Sequence, residues 1–303
     1  MSAPGDWAQL LRVSALFTVP GDVLAGAAAA GVRPDRRTLL AIGCSLCLYE
    51  AGMALNDWAD QDEDARERPD RPLPSGRIPP AAALGAAIGF TGAAIALATR
   101  AGRPAAAVAG ALAATVWAYD LKLKHTRAGA LAMGAARGLD VLLGAVAAGG
   151  RPLRPAVALS SAALVAHTYA VTRVARNETT GGSGLAPVVA LVTSSTIGAA
   201  LASRGAGGVA RSQVAGRSGW QPVRDLTAPA FAALYGITAA RPYLHAALNP
   251  SPALTQRAVG GGIRALIPLQ AALAARAGAP ALGGALMALV PLARRLSRKV
   301  SPT

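Results

Sequence analysis

Residues 56–78 read NDWADQDEDARERPDRPLPSGRI and hold seven of the fifteen acidic residues of the chain. Apolar segments lie on both sides, TLLAIGCSLCLYEAGMAL at 38–55 and PPAAALGAAIGFTGAAIALA at 79–98. Each is close to the ~20 residues that a helix needs to cross a bilayer. The acids therefore form a polar loop between two predicted membrane helices, and such a concentration of charge needs a chemical explanation.

The composition extends this prediction to the whole chain. Of its 303 residues, 53% are hydrophobic and 15% are charged, whereas a soluble domain has about 25% charged residues. Ala, Leu and Gly dominate without polar–apolar alternation, which favours helices over a barrel. We expect an all-α polytopic membrane protein that forms a single domain over 1–303. Nine or ten spans are predicted from the apolar blocks 8–30, 38–56, 80–99, 104–119, 128–149, 155–172, 185–203, 227–247, 256–275 and 279–294.

The formal net charge of +15 comes mainly from arginines in short loops between the blocks. Such loops contact lipid head groups, so the charge does not indicate nucleic acid. Basic residues are nearly equal in number on the two sides, and the tail RRLSRK tips the side of 56–78 toward the cytoplasm. We therefore expect a multi-pass cell-membrane protein with this loop on the cytoplasmic side. Cys44 and Cys47 lack a second ligand pair and are predicted to be small buried residues.

Asn56, Asp60 and Asp64 are spaced four residues apart. A helix that continues past the membrane edge would project all three from one face, within about 80°, and would leave Asp57 off that face. Converging carboxylates repel one another unless a cation neutralises them, and oxygen ligands suit Mg²⁺. The spacing predicts that these three residues bind Mg²⁺.

Arg68 and Arg71 follow in the stiff segment RPDRPLPSG, and guanidinium groups suit the oxygens of a diphosphate. A calcium EF-hand loop would need Gly and Glu at the positions of Ala65 and Arg71, so that interpretation fails. A solvated interhelical loop would explain the charge, but it would not explain the helical spacing or the Pro-Ser-Gly turn. The segment therefore favours a site for Mg²⁺ and a diphosphate.

The pattern ND-x-x-D-x-x-x-D followed by R-P-x-R-P-L-P-S-G-x-I resembles the first aspartate-rich motif of the UbiA superfamily of intramembrane prenyltransferases, which includes 4-hydroxybenzoate polyprenyltransferases. It also lies between the second and third spans, as in that family. The resemblance implies a ring of about nine helices around a central cavity, with a cap of loops over the membrane surface. It further implies a prenyl diphosphate bound through Mg²⁺ beneath that cap.

Two further segments are compared with the family. The stretch WAYDLKLKHTRAG at 117–129 is similar to its tyrosine-plus-basic segment, which implies that Tyr119, Lys122 and Lys124 approach the diphosphate. The two lysines lie on different helix faces, so at most one is expected to point inward, and a basic patch for anionic lipid is the alternative. In the fifth span, Arg137 and Asp140 are either a structural ion pair or cavity-lining residues. Asp22 and Glu50 are also expected to line the cavity.

A second motif is expected about 120 residues after the first, and the chain there reads HTYAVTRVARNETTGGSG at 167–184. The family usually has an aspartate cluster at this place, whereas here only Asn177 and Glu178 offer oxygen ligands, beside Arg173 and Arg176. The arginines would then neutralise the diphosphate in place of a metal, or this half acts on another substrate or has lost catalysis. The spacing is consistent with two pseudo-repeated halves, roughly 8–150 and 151–295.

The resemblance implies prenyl transfer from a Mg²⁺-bound prenyl diphosphate to an unidentified acceptor, with release of diphosphate. Asp60, Asp64, Tyr119 and Lys122 are the expected catalytic residues. The alternative is a non-catalytic binder or membrane carrier of prenyl phosphates, motivated by the altered second motif. A proton-coupled transporter would leave the R-P-x-R-P-L-P-S-G segment unexplained. Beyond the lipid bilayer and the substrates, the sequence indicates no protein partner.

Overall fold

The computed structural model describes residues 3–178, 181–182, 184–203 and 221–300. Every regular element in these ranges is a helix, and no strand occurs among them. The chain divides into two compact units, one made of Met1–Ser161 with Leu289–Thr303 and the other of Ala162–Ala288. The predicted all-α class is confirmed.

The first unit begins with a short helix and a 3-10 helix and then contains six further α-helices and a π-helical turn. Helix α3 begins after Asp35, whose carboxylate accepts a hydrogen bond from the Thr38 backbone N–H at 2.9 Å. This bond lowers the pKa of Asp35 from its ordinary value. The elements are α1 Pro4–Leu10, 3-10 Val13–Thr18, α2 Pro20–Ala29, α3 Arg36–Ala59, α4 Gln61–Glu67, α5 Pro80–Ala101, α6 Arg103–Ala118, the π turn Tyr119–Leu123 and α7 Gly129–Ala147.

The second unit is built around buried tyrosines and one buried histidine. His167 bonds through Nδ1 to the Tyr235 hydroxyl and through Nε2 to the Gly262 carbonyl, both at 3.0 Å. A carbonyl only accepts, so Nε2 carries a proton and donates it to Gly262. The remaining helices of the chain are α8 Pro155–Ala175, α9 Leu185–Ala202, α10 Gln221–Leu248, α11 Pro252–Arg276 and α12 Pro280–Val300.

Seven of the described helices are long and apolar enough to cross a membrane, against the nine or ten spans predicted. Two predicted blocks become shorter apolar helices, Leu16–Ala29 and Pro280–Pro291. The block 227–247 lies in α10, which contains two internal prolines and three Arg or Asp residues and is less apolar than a typical span. A count of nine is therefore not confirmed. The seven are α3, α5, α6 with the π turn, α7, α8, α9 and α11.

Helices α2 and α7 cross unusually closely. A Cβ built on Gly26 would lie 1.9 Å from the Val141 carbonyl oxygen, and one built on Gly144 would lie 1.9 Å from the Val23 carbonyl oxygen. Glycine allows this backbone contact because it has no Cβ, as is common where helices meet in a bilayer. The crossing determines where α2 and α7 present their charged side chains.

Candidate functional site

A cavity of about 200 Å³ lies in the first unit between α3, α6 and α7. Its walls are mostly apolar, and polar groups are concentrated toward its two ends. One end reaches Asn56, the first residue of the acidic segment 56–64, and the other lies deeper along α3 and α7. The end at Asn56 is called the mouth of the cavity. The lining residues are Arg12, Val19, Ser45, Leu48, Tyr49, Gly52, Met53, Asn56, Leu112, Thr115, Val116, Tyr119, Asp120, Ala132, Met133, Ala136, Arg137 and Asp140.

The acidic segment is almost, but not fully, one continuous helix. The backbone departs from helical geometry at Asp60, with φ −99° and ψ 9°, and this residue ends α3 and precedes α4. Hydrogen bonds still run from Asp60 N to the Asn56 carbonyl at 3.0 Å and from Asp64 N to the Asp60 carbonyl at 2.8 Å. The predicted four-residue spacing therefore persists through a local kink, because the i to i−4 bonds are kept.

The three acids at the core of this segment pair with basic side chains from other parts of the first unit. Asp64 accepts a hydrogen bond from Arg71 at 2.6 Å and lies 3.6 Å from Arg68. Asp60 pairs with Lys124. The carboxylate of Asp57 lies 3.5 Å from the Arg71 guanidinium. Cations from the loop and from the π turn thus already surround the carboxylates.

The loop after α4 holds Arg71 in place. Gly76 has φ +73°, which glycine adopts at no steric cost, and its N–H donates to the Leu73 carbonyl at 3.0 Å. The Ser75 hydroxyl donates to the Arg71 carbonyl at 2.6 Å. Leu73 and Ile78 are buried against α3. The Pro-Ser-Gly segment is therefore a packed turn, which limits the positions that the Arg71 side chain can reach.

The π turn decides between the two candidate lysines. Lys124 N donates to the Tyr119 carbonyl at 2.9 Å, a bond five residues back that inserts one extra residue into the helical turn. Lys124 thereby reaches Asp60 with its side chain 10% exposed, whereas Lys122 is exposed. The expectation that at most one lysine points inward agrees with this geometry. A regular helix would have turned Lys124 to another face.

Three residues at this end of the cavity escaped the sequence analysis. Asp57, expected off the ligand face, is buried and accepts a hydrogen bond from Arg12 at 3.0 Å. Asp120 is also buried, and its carboxylate accepts from the Asn56 amide at 3.3 Å. Arg12 lies 3.5 Å from Asn56 Oδ1 as well. Asp57 and Asp120 lie within the two quoted segments but were not among the predicted ligands, and Arg12 lies outside both segments; contacts across 44 and 64 residues of sequence bring Arg12 and Asp120 to Asn56.

The chain before the 3-10 helix positions Arg12. This arginine has a left-handed backbone with φ 47° and ψ 46°, which is uncommon for a residue with a side chain. Just before it, Leu10 is fully buried in a cluster with Leu73 and Ile78. Arg77 donates to the Asp6 carboxylate at 2.5 Å and to the Gln9 side-chain oxygen at 3.1 Å. Helix α1 is thus tied to the loop that also carries Arg71.

The deep end of the cavity contains the charged residues of the fifth predicted span. Arg137 pairs with Asp22 at 2.7 Å, not with Asp140. Asp140 accepts a hydrogen bond from the Ser45 hydroxyl at 2.6 Å. Arg137 and Asp140 line the cavity, while Asp22 lies behind Arg137. The suggested pairing of Arg137 with Asp140 is replaced by a pair between helices, because the close crossing brings α2 against α7.

Glu50 and the described residues of the second motif do not line this cavity. Glu50 is buried but does not line the cavity, and its Oε2 has no hydrogen-bond partner among the described residues. In the second unit, Arg173 in the last turn of α8 and Arg176 just after it are exposed, while Asn177 and Glu178 are partly buried. Their roles as ligands stay predictions.

The donors at the mouth of the cavity fit a hard divalent cation. Asp60 and Asp64 offer carboxylate oxygens and Asn56 offers an amide oxygen, and Mg²⁺ prefers oxygen ligands. Among the described residues, one group of three side chains that could bind a metal has its ligand atoms within 4.8 Å of one another: Asp60, Glu63 and His125. Of these three, Asp60 also belongs to the predicted ligand set. Carboxylates in this number need compensation, which Lys124 and the arginines supply in the structure.

The chain is similar in sequence to members of one known family. The sequence model of the UbiA prenyltransferase family matches residues 15–205. The chain is 35% identical over 114 residues to digeranylgeranylglyceryl phosphate synthase of Methanopyrus kandleri, covering 38% of this chain and 40% of that protein. It is 50% identical over 46 residues to the enzyme of the same name from Methanothrix thermoacetophila, covering 15% and 17%. The alignments thus span less than half of either relative's length.

Solved structures give the same fold. A UbiA homologue from Aeropyrum pernix K1 aligns with a TM-score of 0.59 at 19% identity, covering 84% of this chain and 97% of that one. A UbiA homologue from Archaeoglobus fulgidus, bound to DMAPP and Mg²⁺, aligns with a TM-score of 0.52 at 13% identity, covering 86% and 99%. Identities this low establish similarity of fold.

Proposed function

The chain belongs to the UbiA prenyltransferase family, and on that premise we propose that it transfers a prenyl group from a Mg²⁺-bound prenyl diphosphate to an acceptor, releasing diphosphate. The observation that carries the proposal is an ion-paired cluster, in which Asp60 and Asp64 meet Lys124 and Arg71, one and two helical turns beyond Asn56, which lines an apolar cavity. Such a boundary between charge and hydrocarbon suits a substrate with a diphosphate head and a prenyl tail.

Asn56, Asp60 and Asp64 would hold the metal, whose charge stabilises the leaving diphosphate. Lys124 and Arg71 lie beside the same carboxylates, so both can contact diphosphate oxygens when the carboxylates turn to the metal. Arg68, which lies 3.6 Å from Asp64 and is more exposed, can add a further donor at the rim. These contacts bind the charged head and orient it at the mouth.

The reaction breaks the bond between the first prenyl carbon and its diphosphate oxygen and forms a bond from that carbon to the acceptor. The acceptor's proton passes to the released diphosphate or to water. Positive charge that develops on the allylic carbon would face apolar walls such as Met53, Met133 and Val116. These side chains exclude water, which would otherwise capture the carbon.

Other predicted roles remain part of the proposal. Tyr119 lines the cavity beside the π turn and can contact the diphosphate. Lys122 is exposed, which suits the membrane surface better than a catalytic role. We further propose that Arg173, Arg176, Asn177 and Glu178 serve the same substrate from the second of two pseudo-repeated halves within one domain. The motif loops are proposed to face the cytoplasm.

The acceptor is proposed to react through a hydroxyl group. Both curated relatives are named for a glyceryl phosphate that carries two geranylgeranyl groups, and such a name denotes prenylated hydroxyls. The same names favour an enzyme over a non-catalytic binder or carrier of prenyl phosphates. No contact among the described residues favours the carrier.

Diphosphate release by the purified protein tests this proposal. The protein is incubated in detergent with geranyl diphosphate, Mg²⁺ and candidate alcohols, and phosphate is detected after pyrophosphatase treatment. We expect Asp60→Asn to lower the rate at least about 100-fold, because a carboxylate aimed at the metal is lost. Asp62→Asn changes an exposed acid of the same segment and should keep the wild-type rate. Equal rates in both variants would refute the metal assignment, and ligand binding without turnover would support the carrier.

A further inference from the structure

The deep end of the cavity is polar, although an apolar tail would need an apolar surface there. Ser45 precedes Asn56 by eleven residues on α3, which corresponds to ~16 Å along the helix axis. Asp140 is 8% exposed and accepts a hydrogen bond from Ser45 at 2.6 Å. We call this group the cavity floor and define it as Ser45, Tyr49, Arg137 and Asp140.

A prenyl chain would be a poor ligand for the floor. Covering a carboxylate and a guanidinium with alkyl groups removes water from them and offers no hydrogen bond in return. The Tyr49 hydroxyl makes no hydrogen bond with the described residues and faces the cavity. The floor therefore calls for a ligand that carries hydrogen-bonding groups of its own.

The charges on the floor exclude an anion. Arg137 is ion-paired with the Asp22 carboxylate at 2.7 Å and also donates to the Thr18 hydroxyl at 3.2 Å, so its positive charge already has a counter-ion. Asp140 adds negative charge when ionised and none when protonated. In either state no positive charge remains for a carboxylate or a phosphate, and such a ligand would be buried without a counter-ion.

We propose that the floor binds an uncharged hydroxyl group at the far end of the acceptor, an inference that rests on the proposed function. The ligand hydroxyl donates to Asp140 and accepts from Tyr49, which satisfies both protein groups. An ammonium group would also pair with Asp140, but taking a second charge out of water costs more than a buried pair commonly returns, whereas a hydroxyl group is far less costly to desolvate.

The distance between the two ends of the cavity defines the acceptor further. The diphosphate head is proposed to lie at Asn56 and Asp60, three helical turns from Ser45. A hydroxyl on the floor is therefore not the group that attacks the prenyl carbon. The acceptor carries at least two polar groups, a nucleophile that reaches the prenyl carbon inside the cavity and a hydroxyl at the floor. A dihydroxylated ring or a small polyol has this character.

Four phenols with the same ring test the inference. Hydroquinone, 4-hydroxybenzoate, 4-hydroxyphenyl phosphate and 4-(aminomethyl)phenol differ only in the group that would reach the floor. Their binding to the full-length protein is measured by isothermal titration in detergent with Mg²⁺ and diphosphate present. We expect hydroquinone to bind at least about ten-fold more tightly than the two anions and the cation, since the anions would be desolvated without a positive partner and an ammonium group costs more to desolvate than a hydroxyl.

Variants of the floor make the test specific. In Asp140→Asn the preference of hydroquinone over 4-hydroxybenzoate should fall below about three-fold, because the repelling carboxylate is gone. Ser45→Ala keeps that carboxylate and should keep the preference. Glu50→Gln, which changes a buried acid outside the cavity lining, is the matched control and should behave as wild type.

Three outcomes overturn the proposal: none of the four phenols binds, an anion binds as tightly as hydroquinone, or Asp140→Asn keeps the full preference. A failure of the proposed function is recognised separately. In that case diphosphate itself does not bind with Mg²⁺, or it binds equally well to Asp60→Asn, whatever the phenols do.

Discussion

Replacing Gly144 by alanine should destabilise the first unit strongly, because the added Cβ meets backbone. It would lie 1.9 Å from the Val23 carbonyl oxygen, 2.6 Å from the carbonyl carbon and 2.7 Å from Cα. No side-chain rotation relieves these contacts. Ordinary contact begins near 3.4 Å, so α2 and α7 would have to separate by 3.4 − 1.9 = 1.5 Å.

The magnitude follows from this separation. Overpacked cores typically lose about 1–3 kcal/mol, and a clash against backbone belongs at the upper end, about 3 kcal/mol. For a chain of this size each kcal/mol corresponds to a shift of about 2–4 °C, so the midpoint of thermal unfolding should fall by about 6–12 °C. Activity should also fall, because the Arg137–Asp22 pair at 2.7 Å bridges the same two helices.

The assay is thermal unfolding of the purified variant in detergent, followed by intrinsic fluorescence. Gly89→Ala is the matched control, since a Cβ at this exposed position of α5 has nothing within 4 Å. Alanine favours helices over glycine by up to about 1 kcal/mol, so this control should melt at or slightly above wild type. Gly26→Ala adds a clash at the same crossing from the side of α2. The loss of stability in the double variant should be smaller than the sum of the two single losses, because one separation of the helices relieves both clashes. A midpoint for Gly144→Ala within about 1 °C of wild type would refute the reasoning.

Lys124→Met should raise the affinity for Mn²⁺, measured by electron paramagnetic resonance without diphosphate, because the Asp60–Lys124 ion pair no longer has to break before Asp60 binds the metal. The affinity for diphosphate should fall in the same variant. Exposed Lys122→Met serves as control, and unchanged Mn²⁺ affinity in Lys124→Met would contradict the pairing. Arg77→Met should speed limited proteolysis before the 3-10 helix, because this side chain ties α1 to the loop. Its effect on stability should stay below about 1 kcal/mol, as for other exposed ion pairs. Arg66→Met is the comparison for Arg77→Met, and equal cleavage of both would argue against the tie.

The acidic segment illustrates how far local pattern reaches. The four-residue spacing of Asn56, Asp60 and Asp64 is a property of a helix, and its hydrogen bonds persist in the structure. The sequence could not decide whether Lys122 or Lys124 points inward, because a π turn changes which face a residue occupies and nothing in YDLKL predicts such a turn. Spacing rules assume regular helices, so one inserted residue defeats them.

Partners from distant segments were also beyond the sequence. Arg12 lies 45 residues before Asp57, whose carboxylate it binds, and the contact forms where α1 is tied to the loop and Leu10 is buried. The block 8–30 looked like one span, yet the chain forms α1, a 3-10 helix and α2 there. A long apolar run predicts that a segment is buried in lipid, but it does not predict where a helix within it ends.

The sequence by itself determined the all-helical membrane class, the position of the acidic motif and the residue types that suit Mg²⁺ and a diphosphate. These follow from hydrophobic length and helical spacing, which involve residues close together in the chain. Only the tertiary structure decided the pairs Arg137–Asp22, across 115 residues, and Asp140–Ser45, across 95. Such pairs depend on which helices cross and how closely, and at the crossing of α2 and α7 that is decided by two glycines that allow backbone to touch backbone.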